Sequence, residues 1–213
     1  MRKSPYGEER FHMNIPLNGV SARNRIIERF ECQPVPAARA VPNLAEDVLQ
    51  GFASRPRVLP PKYFYDAWGS ELFDRICDTP EYYPTRTEAQ LLDQSANNII
   101  RQARPDHIIE LGSGTSRKTA HLLEACEANG VRPEYWPFDV CEEVLYAAAE
   151  GLIETHPWLK VRALIGDYSA GLAYLPQPPG RRLFVFLGST IGNLTPKESI
   201  AFLGELRSLM REG

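Results

Sequence analysis

The segment Glu110–Thr115, ELGSGT, places two glycines directly after an apolar run, HIIEL. Glycines at such a position let the chain turn tightly out of a strand and let a ligand approach the backbone. A tight strand-to-helix turn that binds nothing is the alternative for two glycines alone. The segment is therefore a candidate binding turn, and its chemistry depends on the residues around it.

Three kinds of nucleotide site use such a turn. A dinucleotide site needs a third glycine at the helix start, where this chain has Arg117. A P-loop also needs a glycine there, before the matching Lys118 and Thr119, to bring backbone amides close to phosphate. S-adenosylmethionine (SAM) carries no phosphate and needs only the tight turn, so the sequence favours SAM over ATP or NAD.

Two carboxylates follow the next two predicted strands. Asp139 ends PFD, where a carboxylate can accept both ribose hydroxyls of an adenosine. Asp167 ends IGD, where it or the next amide can contact the adenine amino group while Tyr168 flanks the ring. Either aspartate alone could be a helix cap. Suitable groups at three successive strand ends together indicate an adenosine site.

The surrounding pattern alternates strands with helices. Four apolar segments, HIIEL, EYWPFDV, VRALIGDY and RRLFVFLGST, read as strands, and helical periodicity separates most of them. This pattern predicts an α/β, Rossmann-like fold with a parallel sheet, its first strand central and its fourth at an edge. The region 105–213 is thus the predicted SAM-binding domain, incomplete at its C-terminal end.

The preceding region is predicted to be helical and rich in aromatic residues, over 24–104, after a flexible leader, 1–23. Prolines and apolar spacing predict helices over 24–32 and 42–53, then a short helix capped by Ser70. A long helix is predicted over 87–103, with Thr85 or Thr87 as its cap.

Composition excludes several functions. The net charge of −3 argues against nucleic acid as a partner. No apolar run approaches the roughly 18 residues that span a bilayer, and the first residues lack a signal-peptide pattern, so we expect a cytoplasmic protein. The four cysteines are widely spaced, without a CxxC pair, and predict no metal site.

From about Asn24 to Gly213 the sequence resembles the histidine-specific, SAM-dependent N-methyltransferases of ergothioneine biosynthesis. The resemblance rests on six strings in the family's order: YFYDAWGSELFDRI, PEYYPTRTE, ELGSGTSRKT, PFDV, GDY and FLGSTIGNLTP. It implies a class I SAM methyltransferase fold whose N-terminal helical segment binds the substrate. It also implies methylation of the α-amino nitrogen of L-histidine to the trimethylated betaine, hercynine.

The same resemblance assigns site residues. For the cofactor, it implies Gly112 and Lys118 at the methionine end, Asp139 at the ribose, and Asp167 with Tyr168 at the adenine. For the amino-acid substrate, it implies Tyr65, Tyr82 and Asn193, with Tyr65 beside the reacting nitrogen as the catalytic candidate. Judged without the family, Tyr82 reads as a core aromatic, Asn193 as a helix cap and Lys118 as a solvated helix residue.

Members of the family continue beyond the position of Gly213, with further strands and a substrate-reading lobe. The chain is therefore expected to be a truncated form. RRLFVFLGST would then be an unprotected edge strand, and we expect the 213-residue chain to be poorly soluble or oligomeric and inactive. A longer form is expected to be an active monomer. The alternatives are a SAM-dependent N-methyltransferase of another aromatic amino-acid derivative, or an inactive fragment.

Overall fold

The computed structural model describes residues 28–64 and 66–210. The strands are β1 (Phe30–Pro34), β2 (His107–Leu111), β3 (Glu134–Asp139), β4 (Val161–Ile165) and β5 (Arg182–Val185). The helices are α1 (Leu44–Ala53), α2 (Ala67–Cys77), α3 (Pro84–Ala103), α4 (Thr119–Ala128), α5 (Glu142–Thr155) and α6 (Pro196–Met210). Short 3₁₀ turns lie at Pro61–Phe64, Tyr168–Ala170 and Thr190–Asn193.

All five strands run parallel in one sheet, in the order β1-β4-β3-β2-β5. Parallel neighbours need crossover connections, which the helices between the strands supply. The predicted α/β class and Rossmann-like parallel sheet are confirmed. β2 lies between β3 and β5, and β5 is an edge strand, as expected. The self-association expected from this edge stays a prediction.

The helix predicted over 24–32 is wrong where the structure describes it. Phe30–Pro34 forms β1, which pairs with β4 from Phe30 opposite Val161 to Pro34 opposite Ile165. Phe30 and Cys32 are half-buried while the residues between and after them are exposed, which is strand alternation. Pairing with a strand about 130 residues away decided the conformation. The sheet therefore has five strands, not four, and region 24–104 is not purely helical.

Two apolar layers enclose the sheet, because successive strand residues face opposite sides. Ile108 on β2 belongs to the layer that α3, α4 and α5 cover, with Ile100 and Leu123 among its members. Ile109, one residue later, belongs to the layer that α6 covers with Phe202. Both layers leave the carboxyl ends of the strands open, where a ligand of an α/β sheet binds.

Two predicted helix starts need correction. Asp66, not Ser70, caps α2, since its carboxylate accepts the Gly69 N–H at 2.7 Å. Neither Thr85 nor Thr87 caps α3, which begins at Pro84 without a side-chain cap. Proline suits this position because the first helical N–H has no intrahelical partner.

The close packing of Gly69 in α2 against the Phe64 carbonyl predicts that a larger residue there lowers stability. A Cβ at Gly69 would lie 1.9 Å from the Phe64 carbonyl oxygen, so Gly69→Ala must separate α2 from the segment before it. We expect it to lower the free energy of unfolding by about 2–3 kcal/mol, measured by thermal and urea unfolding. Gly151→Ala in α5 is the matched control, because its Cβ would meet nothing within 4 Å. It should stabilise by about 0.5–1 kcal/mol. Equal effects of both variants would contradict this account.

Within the described ranges, no helix is both long and apolar enough to cross a membrane. The same residues contain no group of three or more histidine, cysteine, aspartate or glutamate side chains that could hold a metal ion. The four cysteines are all free.

Candidate functional site

The carboxyl ends of β2, β3 and β4 open into one cavity of about 840 Å³. This volume lies within the range of ligand pockets, roughly 300–1,000 Å³. Six residues predicted for the site line the cavity: Gly112, Lys118, Asp139, Asp167, Tyr168 and Asn193. Segments from α2 and α3 and the loop before α6 complete the walls.

The glycine turn after β2 has the backbone that glycine allows. Gly112 and Gly114 have φ of +67° and +49°, in the left-handed region. The Gly112 N–H donates to the Phe138 carbonyl at 2.8 Å, which ties the turn to the end of β3. A Cβ at Gly112 would lie 3.4 Å from the Tyr168 ring. The glycine turn and the Tyr168 ring are therefore neighbours in the cavity wall.

Asp139 holds the turn as well as facing the cavity. One carboxylate oxygen accepts the Gly114 N–H at 2.8 Å. The other accepts the N–H groups of Val140 and Cys141 at 2.8 and 3.2 Å. The carboxylate is half-buried, so part of it remains open to the cavity. It is thus fixed in position by three backbone amides.

The end of β4 places an acid and an aromatic ring side by side. Asp167 accepts the Ser169 N–H at 2.8 Å and starts the turn that carries Tyr168. The Tyr168 ring meets Phe186 and Phe202 edge-on, with centroids 5.5 and 5.8 Å apart. These contacts give the ring one orientation at the cavity wall.

The chain is similar to a family of known proteins over most of its length. A family model described as histidine-specific, SAM-dependent methyltransferase matches residues 44–213. The chain belongs to this family. It is 47% identical over 170 residues to the histidine N-alpha-methyltransferase of Mycobacterium tuberculosis (strain CDC 1551 / Oshkosh), covering 80% of this chain and 53% of that protein.

Two further relatives place the chain within a wider group. The histidine N-alpha-methyltransferase of Mycolicibacterium smegmatis (strain ATCC 700084 / mc(2)155) is 46% identical over 177 residues, covering 83% of this chain and 55% of that protein. A 4-dimethylallyltryptophan N-methyltransferase of Claviceps purpurea (strain 20.1) is 31% identical over 167 residues, covering 76% and 48% respectively. The chain spans about half the length of the curated relatives it matches.

Of the three residues predicted to contact the substrate, the structure places one in the cavity wall and one behind it. Asn193 lies in the turn before α6 and lines the cavity. It does not cap α6, because Thr195 forms a capping box with Glu198. Tyr82 does not line the cavity; its ring packs edge-on against Phe73, with centroids 5.8 Å apart, and Phe73 lines it. Tyr65 lies outside the described residues.

Lys118 is not a solvated helix residue. Its ammonium donates to the carboxylate of Glu88 on α3, and both side chains are largely buried. The second Glu88 oxygen accepts the Gly188 N–H at 2.8 Å. Glu88 ends the string PEYYPTRTE, but helical periodicity does not reveal its role, since its partners lie 30 and 100 residues away.

A buried acid lies beneath the glycine turn. Glu110 accepts hydrogen bonds from the hydroxyls of Thr119 and Tyr135, and Tyr135 shares a 2.8 Å hydrogen bond with Ser116. Burial raises the pKa of the Glu110 carboxyl to about 7, although the two hydroxyl donors act to lower it. The available sequence signal was an acid inside the apolar run HIIEL, which does not by itself indicate a buried network.

The segment before position 65 is anchored to α1. The Tyr63 hydroxyl donates to the Asp47 carboxylate at 2.7 Å, and the Lys62 ammonium lies 2.8 Å from the same oxygen. Asp47 is buried, and both Asp47 and Lys62 line the cavity. This cluster fixes one part of the cavity wall.

Proposed function

We propose that the protein carrying this chain methylates the α-amino nitrogen of L-histidine with SAM as donor, giving hercynine on the route to ergothioneine. The observation that carries the proposal is the meeting of Gly112, Asp139 and Asp167 in one cavity at three adjacent strand ends. In a family described as histidine-specific methyltransferases, this cavity is the natural SAM site.

The residues present fit SAM. The Asp139 carboxylate, fixed by three amides, would accept the ribose hydroxyls, and Asp167 with the oriented Tyr168 ring would bind the adenine. The glycine turn and the Lys118 ammonium would receive the methionine end, where the carboxylate of the ligand matches the lysine charge. The bound cofactor supplies an electrophilic methyl group on a sulfonium.

Methyl transfer is an in-line displacement by an unprotonated amine about 3–3.5 Å from the methyl carbon. A free α-amino group has a pKa near 7.7–8.0, so the site has to favour the neutral form by burial or by a proton acceptor. We assign Tyr65 to orient the reacting nitrogen and Asn193 as a further substrate contact. Asn193 is an exposed residue that lines the cavity, which supports this placement. Tyr82 would act from behind the wall, since its ring packs against the cavity-lining Phe73.

We further propose a histidine-sized amino acid as the small-molecule partner, and we assign the full-length protein to the cytoplasm as a monomer. The four free cysteines suit a reducing compartment.

The proposal predicts a substrate preference. The purified full-length protein that carries this chain, incubated with SAM, should convert histidine to the mono-, di- and trimethylated forms, which mass spectrometry resolves. We expect kcat/KM for histidine to exceed that for tryptophan or 4-dimethylallyltryptophan at least about a hundredfold, which corresponds to about 2.7 kcal/mol. A matched reaction with Asp139→Ala controls for background methylation.

The second candidate, N-methylation of another aromatic amino-acid derivative, is favoured by the 31% identity to the Claviceps purpurea enzyme. A higher kcat/KM for an indole amino acid than for histidine would establish it and contradict the first. SAM binding without turnover of either substrate would count against both.

A further inference from the structure

One carboxylate joins two sides of the cavity. Glu88 lies near the start of α3. One of its carboxylate oxygens accepts a hydrogen bond from the Lys118 ammonium, and the other accepts one from the Gly188 N–H at 2.8 Å. Lys118 stands at the start of α4, after the glycine turn, and Gly188 lies in the loop after β5. Three separate elements therefore meet at one side chain.

Both partners of Glu88 line the cavity, while Glu88 itself stands behind them. Its side chain is 25% exposed and that of Lys118 is 22% exposed, so the ion pair is only partly screened by water. The carboxylate thus acts on the cavity through the groups it holds.

The backbone at Gly188 is shaped to this contact. Gly188 has φ of +76°, a conformation that favours glycine. A Cβ there would lie 3.4 Å from the Lys118 Nζ, so the absence of a side chain keeps space beside the ammonium. The same loop continues to Asn193, which also lines the cavity.

We propose that Glu88 is a positioning residue: its carboxylate, itself anchored by the Gly188 N–H, holds the Lys118 ammonium in the arrangement that receives the methionine end of the cofactor. This inference rests on the proposed function, because the contact of Lys118 with the cofactor is itself proposed there. A lysine without a partner samples many rotamers, and ligand binding would have to restrict them. Glu88 restricts them in advance.

The test is a double-mutant cycle on cofactor affinity. Isothermal titration calorimetry measures the Kd of S-adenosylhomocysteine for the unmodified protein, Glu88→Gln, Lys118→Met and the double variant. Glu88→Gln should raise Kd about tenfold, and Lys118→Met at least as much. The double variant should bind no more weakly than Lys118→Met alone, because Glu88 acts through the lysine. Glu124→Gln, an exposed carboxylate on α4, should leave Kd unchanged.

Three results would overturn the inference. An unchanged Kd for Glu88→Gln would show that the lysine needs no positioning. A lower Kd would show that Glu88 competes with the cofactor for the ammonium. A full effect of Glu88→Gln in the Lys118→Met background would assign the carboxylate a structural role only.

The same variants also distinguish failure of this inference from failure of the proposed function. Normal binding by Lys118→Met contradicts the cofactor role of Lys118, whatever Glu88→Gln does. If Glu88→Gln melts below the assay temperature, Glu88→Asp replaces it, since aspartate keeps the charge on a stem too short to hold both partners. Glu88→Asp should also raise Kd, and an unchanged Kd would again overturn the inference.

Discussion

Asp139→Ala should lower the affinity for SAM at least about tenfold. A charge-assisted hydrogen bond to a ribose hydroxyl is worth about 1.5–3 kcal/mol, and 1.4 kcal/mol corresponds to a factor of ten. The structure adds a second cause, because the carboxylate also accepts the Gly114 N–H at 2.8 Å. Alanine would therefore release the glycine turn as well as remove the ribose acceptor.

Calorimetry with S-adenosylhomocysteine measures this effect, with Asp139→Asn as an intermediate variant that keeps one acceptor oxygen. Asp106→Asn is the matched control, since Asp106 also accepts a backbone amide, from Arg181 at 2.8 Å, but just before β2. That is the amino end of the strand, opposite the cavity. Wild-type affinity in Asp139→Ala would show that the ribose does not bind at the end of β3.

The lining of the proposed cofactor side of the cavity was predictable because parallel strands bring their carboxyl ends to one edge. The strings HIIEL, PFD and IGD mark where three predicted strands end. That was enough to predict that Gly112, Asp139 and Asp167 lie together, and all three line the cavity. The positions of these three residues depend only on their neighbours along the chain and on the adjacent strands. Local pattern and sheet topology specify them without further information.

Contacts between distant segments were not predictable in this way. Glu88 reaches Lys118 and Gly188 from a helix whose orientation no periodicity reveals. The strand β1 alternates over only five residues, and its conformation depends on pairing with β4. At the start of α2, Asp66 and Ser70 are both good caps by residue type, and only the backbone geometry selects Asp66.

Glu110 was missed for a different reason. An acid near the end of an apolar strand reads as an exposed residue of that strand, whereas Glu110 is buried with only 3% of its surface exposed. Its partners are the hydroxyls of Thr119, nine residues on, and Tyr135 on the next strand. A buried polar network of this kind has to be satisfied as a unit. Its existence follows from the packing of α4 against β2 and β3.

Glu110 should make stability fall as the pH rises from about 4.5 to 7. Burial raises the pKa of its carboxyl from 4.5 to about 7 in the folded protein. Below the unfolded pKa the group is protonated in both states and contributes no penalty. Between the two values the folded state holds a proton that the unfolded state has released, so the free energy of unfolding decreases with pH. Above the folded pKa the loss is complete, at about 3 kcal/mol.

Glu110→Gln measures this loss, because glutamine keeps the size and one acceptor oxygen but does not ionise. Urea unfolding from pH 4 to 8 should show the variant gaining on the unmodified protein by about 3 kcal/mol across the window. Glu198→Gln is a control whose pH dependence has the opposite sign and falls at the acid edge of this range, so its difference from the unmodified protein should stay flat between about pH 5 and 8. Hydrogen bonds from the Thr195 hydroxyl and amide lower the pKa of Glu198, so its stabilising contribution is lost as the pH falls through that lowered pKa. A pH-independent difference between Glu110→Gln and the unmodified protein would contradict a buried, proton-holding Glu110.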